Sequence, residues 1–284
     1  MNISIKVAIQ KATEELRAAQ TADPAREARS LLSRLLQRDQ SFLIAHDDYL
    51  LNPDQIRAFD RYVARRVSGE PQQYITGHQE FYRLDFEVTP DVLIPRPETE
   101  DIVEAALAVL DGARAPLIAD IGTGSGCIAV SLLNERTDAR AVATDISAAA
   151  LNVARRNARR LGVKNRLTFI ESDVFDELSP ETQFSLVAAN PPYIPEEDWK
   201  NLPREVRDYE PRSALVSGKD GLDSVRRLLI DAPRFLCTFG FLIFEIGMDQ
   251  EQQVTDLLDA STWQLIEMRR DLQGISRTVV LRAR

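Results

Sequence analysis

Asn190-Pro191-Pro192-Tyr193 follows the apolar run Phe184–Ala189, and its residue types suit one kind of chemistry. A planar amide or amino nitrogen is a poor nucleophile, because its lone pair is delocalised. The side-chain carbonyl of Asn190 and the backbone carbonyl of Pro191 can each accept one of its two N–H hydrogens. That fixes the nitrogen and supports the positive charge that grows on it as an electrophile arrives. Two prolines, Pro191 and Pro192, stiffen the loop so that both acceptors point one way, and Tyr193 can stack on the planar group. The plain alternative is a proline-rich turn after a strand. Two features upstream, at fitting distances, favour the chemical reading.

The first is Asp120-Ile121-Gly122-Thr123-Gly124-Ser125-Gly126, which lies between an apolar run and a helical pattern. Glycines there allow a tight turn and let a ligand approach the backbone. A dinucleotide fingerprint would place glycine at 127, where this chain has Cys127. The loop therefore suits a ligand without a pyrophosphate, and S-adenosylmethionine is such a ligand. Its sulfonium is an excellent leaving group, so attack by the nitrogen needs no strong base. The second feature is Asp145, about 20 residues beyond the glycines, where a carboxylate can accept hydrogen bonds from both ribose hydroxyls. It can instead cap the next helix, a task open to Ser147 as well. Asp173, just past a third strand, can read an adenine amino group or serve as a loop-turn aspartate.

The elements that carry these residues alternate. Strands are expected at Leu117–Ile121, 141–144, 167–170, Phe184–Ala189 and 241–245, and helices at 127–133, 148–161, 222–236 and 250–258. Such a rhythm requires a mostly parallel sheet with helices on both faces. Two final strands, 263–268 and 277–281, have no helix between them, which implies an antiparallel strand inserted at the end. Residues before about 78 read as helical. Ile5, Val7, Ala8, Ala12 and Leu16 mark one amphipathic helix, Asp23-Pro24 opens a second, and Asn52-Pro53-Asp54-Gln55 opens another that runs to Gly69. Between the two parts, Phe81 to Val88 alternates as a hairpin would, and Pro95-Arg96-Pro97 starts a helix with early carboxylates. The division expected is a helical domain at 1–78, a hairpin linker at 79–94 and a catalytic domain at 95–284.

Composition removes several function classes. The net charge of −9 gives no general attraction for phosphate backbones, so no nucleic-acid partner is expected. Arg155, Arg156, Arg159, Arg160, Lys164 and Arg166 form either a local basic patch or a solvated helix face. Two cysteines, Cys127 and Cys237, make neither a disulfide framework nor a zinc site, and two histidines are too far apart to bind a metal. No metal is expected. No apolar run approaches the roughly 20 residues that span a bilayer, and Met1 to Leu16 lacks the unbroken apolar core of a signal peptide. A cytoplasmic location with no membrane partner is the expectation.

The sequence resembles the peptide chain release factor glutamine methyltransferases over nearly its whole length. The resemblance rests on Gly69-Glu70-Pro71-Gln72-Gln73-Tyr74-Ile75-Thr76-Gly77, Glu80-Phe81-Tyr82 and Leu93-Ile94-Pro95-Arg96-Pro97-Glu98-Thr99-Glu100. It continues through the glycine loop, Asn190 to Tyr193, Tyr209-Glu210-Pro211-Arg212-Ser213-Ala214-Leu215 and Phe244-Glu245-Ile246-Gly247. It implies an α/β architecture: a seven-stranded Rossmann-like class I methyltransferase domain preceded by a small helical domain and a β-hairpin linker. The implied reaction is N-methylation of the glutamine side-chain amide in the Gly-Gly-Gln motif of a release factor, by a monomer whose N-terminal domain grips the protein substrate. Carried over by position, Gly122, Thr123, Gly124, Ser125, Gly126, Asp145, Asp173, Val174 and Asn190 contact the cofactor. Asn190, Pro191, Pro192 and Tyr193 hold the glutamine, and Arg96 and Thr99 lie near the cofactor's methionine end or simply start a helix. Tyr209 to Leu215 is a wall beside the glutamine or a plain loop. Relatives often carry an aromatic residue where this chain has Val174, with Phe175 next. The tetrapeptide is shared with DNA amino methyltransferases, and a ribosomal-protein glutamine methyltransferase is a further alternative; the stretch around Pro95 to Glu100 favours the release factor enzymes.

Overall fold

Successive residues of a strand point to opposite faces, and the parallel strands here are buried on both. Ile118, Leu186, Ala188 and Ile243 pack into one apolar layer, and their neighbours Ala119, Val187, Ala189 and Leu242 into another. The computed structural model describes residues 2–284; residue 1, the first of the expected helical domain, lies outside the described residues. The described chain divides into two units.

The first unit comprises residues up to His78 together with Pro203–Tyr209. Its elements are β1 (Ile3–Ser4), α1 (Ile5–Ala18), α2 (Pro24–Leu36), α3 (Gln40–Ala45), β2 (Leu50–Leu51), α4 (Pro53–Val67) and α5 (Gln72–Thr76). The caps form as the sequence suggests: Asp23 accepts from the Arg26 N–H, and Asn52 and Gln55 close a reciprocal capping box. Ile5, Leu16, Leu31, Leu32, Phe59 and Val63 build the core. Residues 203–209, which sequence reasoning leaves in the catalytic part, group with these helices. Arg66 pairs with Glu27 at 2.5 Å and with Glu205 at 2.9 Å, and the Tyr209 hydroxyl donates to the Ser68 carbonyl.

The second unit, from Gln79, opens within a hairpin of β3 (His78–Phe81) and β4 (Leu84–Glu87). The expected alternation over Phe81 to Val88 hid its turn. Tyr82 and Arg83 both have positive φ, 48° and 61°, the pattern of a two-residue hairpin turn but without the glycine or asparagine that usually marks one. Phe81 and Phe86 bury their rings edge to face in the same apolar layer as α6 (Glu100–Val109). A single 3-10 turn, Pro97–Thr99, precedes α6.

There follow β5 (Leu117–Ile121), α7 (Cys127–Glu135), β6 (Arg140–Asp145), α8 (Ala148–Arg160), β7 (Leu167–Glu171), β8 (Phe184–Ala189), α9 (Arg204–Tyr209, in the first unit), α10 (Asp223–Asp231), β9 (Leu236–Glu245), α11 (Glu251–Asp256), β10 (Trp263–Arg270) and β11 (Ser276–Ala283). The sheet has seven strands in the order β10-β11-β9-β8-β5-β6-β7. Strands β5 to β9 run parallel, and β11 is inserted antiparallel between β9 and β10. One expected helix, 222–236, is shorter than its periodicity suggests. Pro233 has no N–H for the Leu229 carbonyl, so α10 ends at Asp231 and the freed carbonyl accepts from the Trp263 indole at 3.1 Å. Strand β9 then begins at Leu236, not 241.

The arginines of α8 are largely engaged with their own unit. Arg156 pairs with Glu87 and Arg160 with Asp85, while Arg166, just beyond the helix, donates to the Leu133, Arg136 and Ala139 carbonyls. Asn157 is fully buried on α8. Its oxygen accepts from the Glu87 N–H at 2.7 Å, and its nitrogen donates to the Glu87 and Ser125 carbonyls, each at 2.9 Å. One side chain thus ties the hairpin to the glycine loop. Asn157→Ala strands three backbone groups, the Ser125 carbonyl buried and the two of Glu87 part-buried, and thermal or denaturant unfolding is expected to report a loss of at least about 2 kcal/mol; an unchanged midpoint would contradict that tie.

Candidate active site

Parallel strands that diverge leave a crevice at their carboxyl ends. Here β5 stands between β6 and β8, and the loops after β5, β6, β7 and β8 line a cleft of about 400 Å³. Of the residues expected to contact a cofactor, Gly122, Thr123, Gly124, Ser125, Asp145, Asp173, Val174 and Asn190 all line it, as do Pro191, Pro192 and Thr99. Gly126, Tyr193 and Arg96 are not among its lining residues.

The glycine loop is shaped by its backbone. Gly122 and Gly124 have φ of 70° and 54°, and open space lies where a Cβ would stand on either. Gly126 is needed for a different reason: a Cβ there would come within 3.2 Å of the Ala154 side chain on α8. Asp120, fully buried below the loop, accepts from the Thr123 hydroxyl at 2.6 Å and the Ala129 N–H at 3.1 Å. Burial pushes its carboxyl up to about 6, against these two hydrogen bonds. Cys127 is a buried thiol pushed up to about 12, chiefly by burial, and is inert.

Asp145 ends β6 with each oxygen on a backbone N–H: Oδ2 on Gly124 and Oδ1 on Ser147, both at 2.9 Å. Ser147 caps α8 through the Ala150 N–H. The cap is therefore supplied without Asp145, whose oxygens keep further lone pairs for a ligand. Burial pushes its carboxyl above the usual carboxylate range, and the two N–H groups oppose the rise. The exposed side chain of Ile146 and the partly buried Val174 add apolar wall. Gly-loop backbone, a carboxylate at ribose distance in sequence and apolar flanks together fit an adenosyl ligand.

Asp173 and Val174 behave differently from one another. The Asp173 carboxylate is held by Arg227 at 2.6 Å, so part of its accepting capacity is already engaged. Val174 sits at φ 55°, a left-handed conformation rare for a β-branched residue, and its carbonyl accepts from the Thr144 and Ser172 hydroxyls. The neighbouring aromatic is no substitute for it: Phe175 is buried in the core, stacked on Phe235 at 5.0 Å between centroids.

The Asn190 side chain donates from Nδ2 to the Thr99 hydroxyl at 2.9 Å, and Thr99, buried, donates to Glu245 Oε2 at 2.7 Å. Glu245 ends β9 and is buried, and the Tyr193 hydroxyl donates to it as well. Burial lifts Glu245 to about 7, with the Thr99 and Tyr193 hydrogen bonds and the Arg277 charge opposing. Tyr193 is thereby anchored away from the cleft lining. Its backbone carbonyl accepts from Gln250 at 3.1 Å, and Gly221 is required because a Cβ there would stand 2.3 Å from that carbonyl. Glu210 is buried, pairs with Arg96 and accepts from the Ile94 N–H at 3.3 Å. Pro211, Ser213, Ala214 and Val216, which follow it, line the cleft. Glu245 and Gln250 were not singled out by sequence reasoning, and Glu210 only as part of the stretch Tyr209 to Leu215. A carboxylate closing an otherwise apolar buried strand, as at Phe241 to Glu245, is the signal that marks the first.

Among the described residues no group of side chains is arranged to hold a metal ion, and no helix is long and apolar enough to cross a membrane.

Comparison with known proteins adds to this geometry. Residues 7–77 match the family described as the PrmC N-terminal domain, and 103–202 the methyltransferase small domain. A release factor glutamine methyltransferase of Nitratidesulfovibrio vulgaris is 41% identical over 276 residues, covering 96% of this chain and 93% of the relative. Those of Moorella thermoacetica (46% identical; 91% and 90% covered) and Vibrio cholerae (37%; 99% and 97%) are similar over comparable spans. Among solved structures, the hMettl16 catalytic domain in complex with an MAT2A 3'UTR hairpin has a TM-score of 0.58 at 14% identity, covering 83% of this chain and 84% of that one, a likeness of fold.

Asp120 yields a pH prediction. Its carboxyl ordinarily titrates at 3.8 and here near 6. Between those values the folded state holds a proton that the unfolded state has lost, so this group's contribution to stability falls as pH rises. In Asp120→Asn that slope is removed. The melting temperature of the variant minus that of the wild type is expected to climb between about pH 4 and 6 and then level; a difference independent of pH would contradict the buried protonated carboxyl.

Proposed function

The chain belongs to the release factor glutamine methyltransferases, and from that premise we propose that it methylates the side-chain amide nitrogen of the glutamine in the Gly-Gly-Gln motif of peptide chain release factors, with S-adenosylmethionine as methyl donor. The observation that carries the reading is the Asn190 side chain at the cleft, its nitrogen already committed to Thr99 so that its oxygen is left as acceptor, with Pro191 lining the cleft beside it.

When bound, S-adenosylmethionine supplies a methyl group on a sulfonium centre whose neutral thioether departs readily. The chain's own residues bind and orient. Backbone groups of Gly122 to Gly126 approach the ligand closely, Asp145 accepts from the ribose hydroxyls, and Ile146 and Val174 flank the adenine. Asp173 contributes at the adenine edge with the accepting capacity Arg227 leaves. Asn190 Oδ1 and the Pro191 carbonyl each accept one N–H of the glutamine amide. This orients the nitrogen's lone pair and stabilises the positive charge that develops there. Pro192 stiffens the loop, and Tyr193 holds it through Glu245. The nitrogen gives up its extra proton after transfer, so a strong base at the site is unnecessary.

In this reading residues 1–78 recognise the protein substrate, 79–94 link, and 95–284 perform the chemistry. The enzyme acts as a monomer in the cytoplasm, where release factors work. A nucleic-acid substrate is disfavoured by the net charge of −9 and by the engagement of the α8 arginines.

Labelled S-adenosylmethionine offered with an intact release factor, the same factor lacking its Gly-Gly-Gln glutamine, a ribosomal protein mixture and duplex DNA tests this. Label is expected on the intact factor alone; label on ribosomal protein or DNA instead would overturn the substrate. Asn190→Ala is expected to lower kcat by about a hundredfold or more while cofactor affinity holds. Asp145→Ala is expected to weaken cofactor binding at least about tenfold by calorimetry; unchanged affinity removes the ribose role.

A further inference from the structure

Thr99 has one hydroxyl proton, and that proton has two candidate destinations. It lies 2.7 Å from a carboxylate oxygen of Glu245 and 2.9 Å from the Asn190 amide. An ionised carboxylate only accepts. Thr99 therefore donates to Glu245 and must accept from its other neighbour, which forces Asn190 to present Nδ2 to Thr99. The amide is planar, so its oxygen is left as the acceptor. With Glu245 protonated the polarity is no longer dictated: the acid can donate to Thr99, whose proton is then free to turn to the Asn190 oxygen. The amide would flip and offer N–H groups to a substrate that itself offers only N–H groups there.

We propose that Glu245 is a positioning residue for methyl transfer, acting through the Thr99 hydroxyl to hold the Asn190 amide with its oxygen as acceptor while its contact with the Tyr193 hydroxyl fixes the other end of the same tetrapeptide. The proposal rests on the assignment of Asn190 as an acceptor for the substrate amide. Neither Glu245 nor Thr99 needs to touch the substrate.

The surroundings of Glu245 decide when it is ionised. Tyr193 faces it from the loop after β8, and Glu98 and Thr99 from the turn before α6. Arg277 faces it from β11, where Thr278 is its register partner. Arg277 is itself paired with Asp271 at 3.2 Å, which tempers its pull. Burial dominates, and the carboxyl titrates near 7. The acceptor orientation is thus enforced above that pH and no longer enforced below it.

The test uses the full-length enzyme with intact release factor. Glu245→Gln and Thr99→Val are expected to lower kcat roughly ten- to a hundredfold, with cofactor affinity by calorimetry and KM for the factor near wild type; Thr99→Ser, which keeps the hydroxyl, restores turnover. The wild-type kcat rises with pH through about 7, and Glu245→Gln loses that limb. Independently of turnover, the Asn190 side-chain NH2 resonances, assigned by their absence from Asn190→Ala, shift through the same pH range in wild type and not in Glu245→Gln. Wild-type turnover with an unaltered acid limb in Glu245→Gln overturns the proposal, as does a Thr99→Ser variant no better than Thr99→Val. If Asn190→Ala itself turns over normally, the underlying reading of Asn190 fails; if only Asn190→Ala is impaired, that reading stands and the role of Glu245 falls.

Discussion

An amide nitrogen will not attack unless something holds it still and accepts its hydrogens, and the side chain best placed to do so is free to rotate. Asn190 can present oxygen or nitrogen with almost the same shape. The hydrogen bond from its nitrogen to Thr99 removes that freedom. It does so with residues from three places far apart in sequence: the turn before α6, the end of β8 and the end of β9. The sheet order, which sets β8 beside β9, brings two of them together, and Thr99 reaches both.

The remainder of the cleft follows the same logic of strand ends held by buried polar groups. Asp120 ties the glycine loop to the start of α7, Asp145 ties it to the start of α8, and Asn157 ties it to the hairpin. Glu210 ties the cleft wall that follows it to Ile94 and Arg96. Buried carboxylates are costly unless they are hydrogen-bonded. Asp120, Asp145 and Glu245 are all pushed above the usual carboxylate range, so burial outweighs their partners. The chain tolerates that cost at the carboxyl ends of the strands, where geometry must be fixed.

Much of this was legible in the sequence because local signals agreed with the global fold. The bounds of β5 and β8 follow directly from their apolar runs, and helices open at Asp23-Pro24 and Asn52-Pro53 as read. Gly122 to Ser125, Asp145 and Asn190, which line the cleft, could be singled out because their spacing is local. What escaped was contact between distant segments. Nothing near Glu210 in sequence announces Arg96, and nothing near Glu245 announces Thr99. The α10 boundary was misread because helical periodicity runs on past Pro233 although the missing N–H ends the helix. The Tyr82-Arg83 turn was hidden because its residues are not those that favour positive φ. The grouping of 203–209 with the helical unit goes with the Arg66–Glu205 and Tyr209–Ser68 contacts, pairings with no local trace.

The most direct measurement is a crystal structure of the enzyme with S-adenosylhomocysteine and an intact release factor. The account predicts the Gly-Gly-Gln glutamine in the cleft, its side-chain nitrogen within about 2.7–3.2 Å of both Asn190 Oδ1 and the Pro191 carbonyl, and the Asn190–Thr99–Glu245 chain unbroken. A glutamine amide held by other groups, or Asn190 turned from it with Thr99 released, would contradict the central claim.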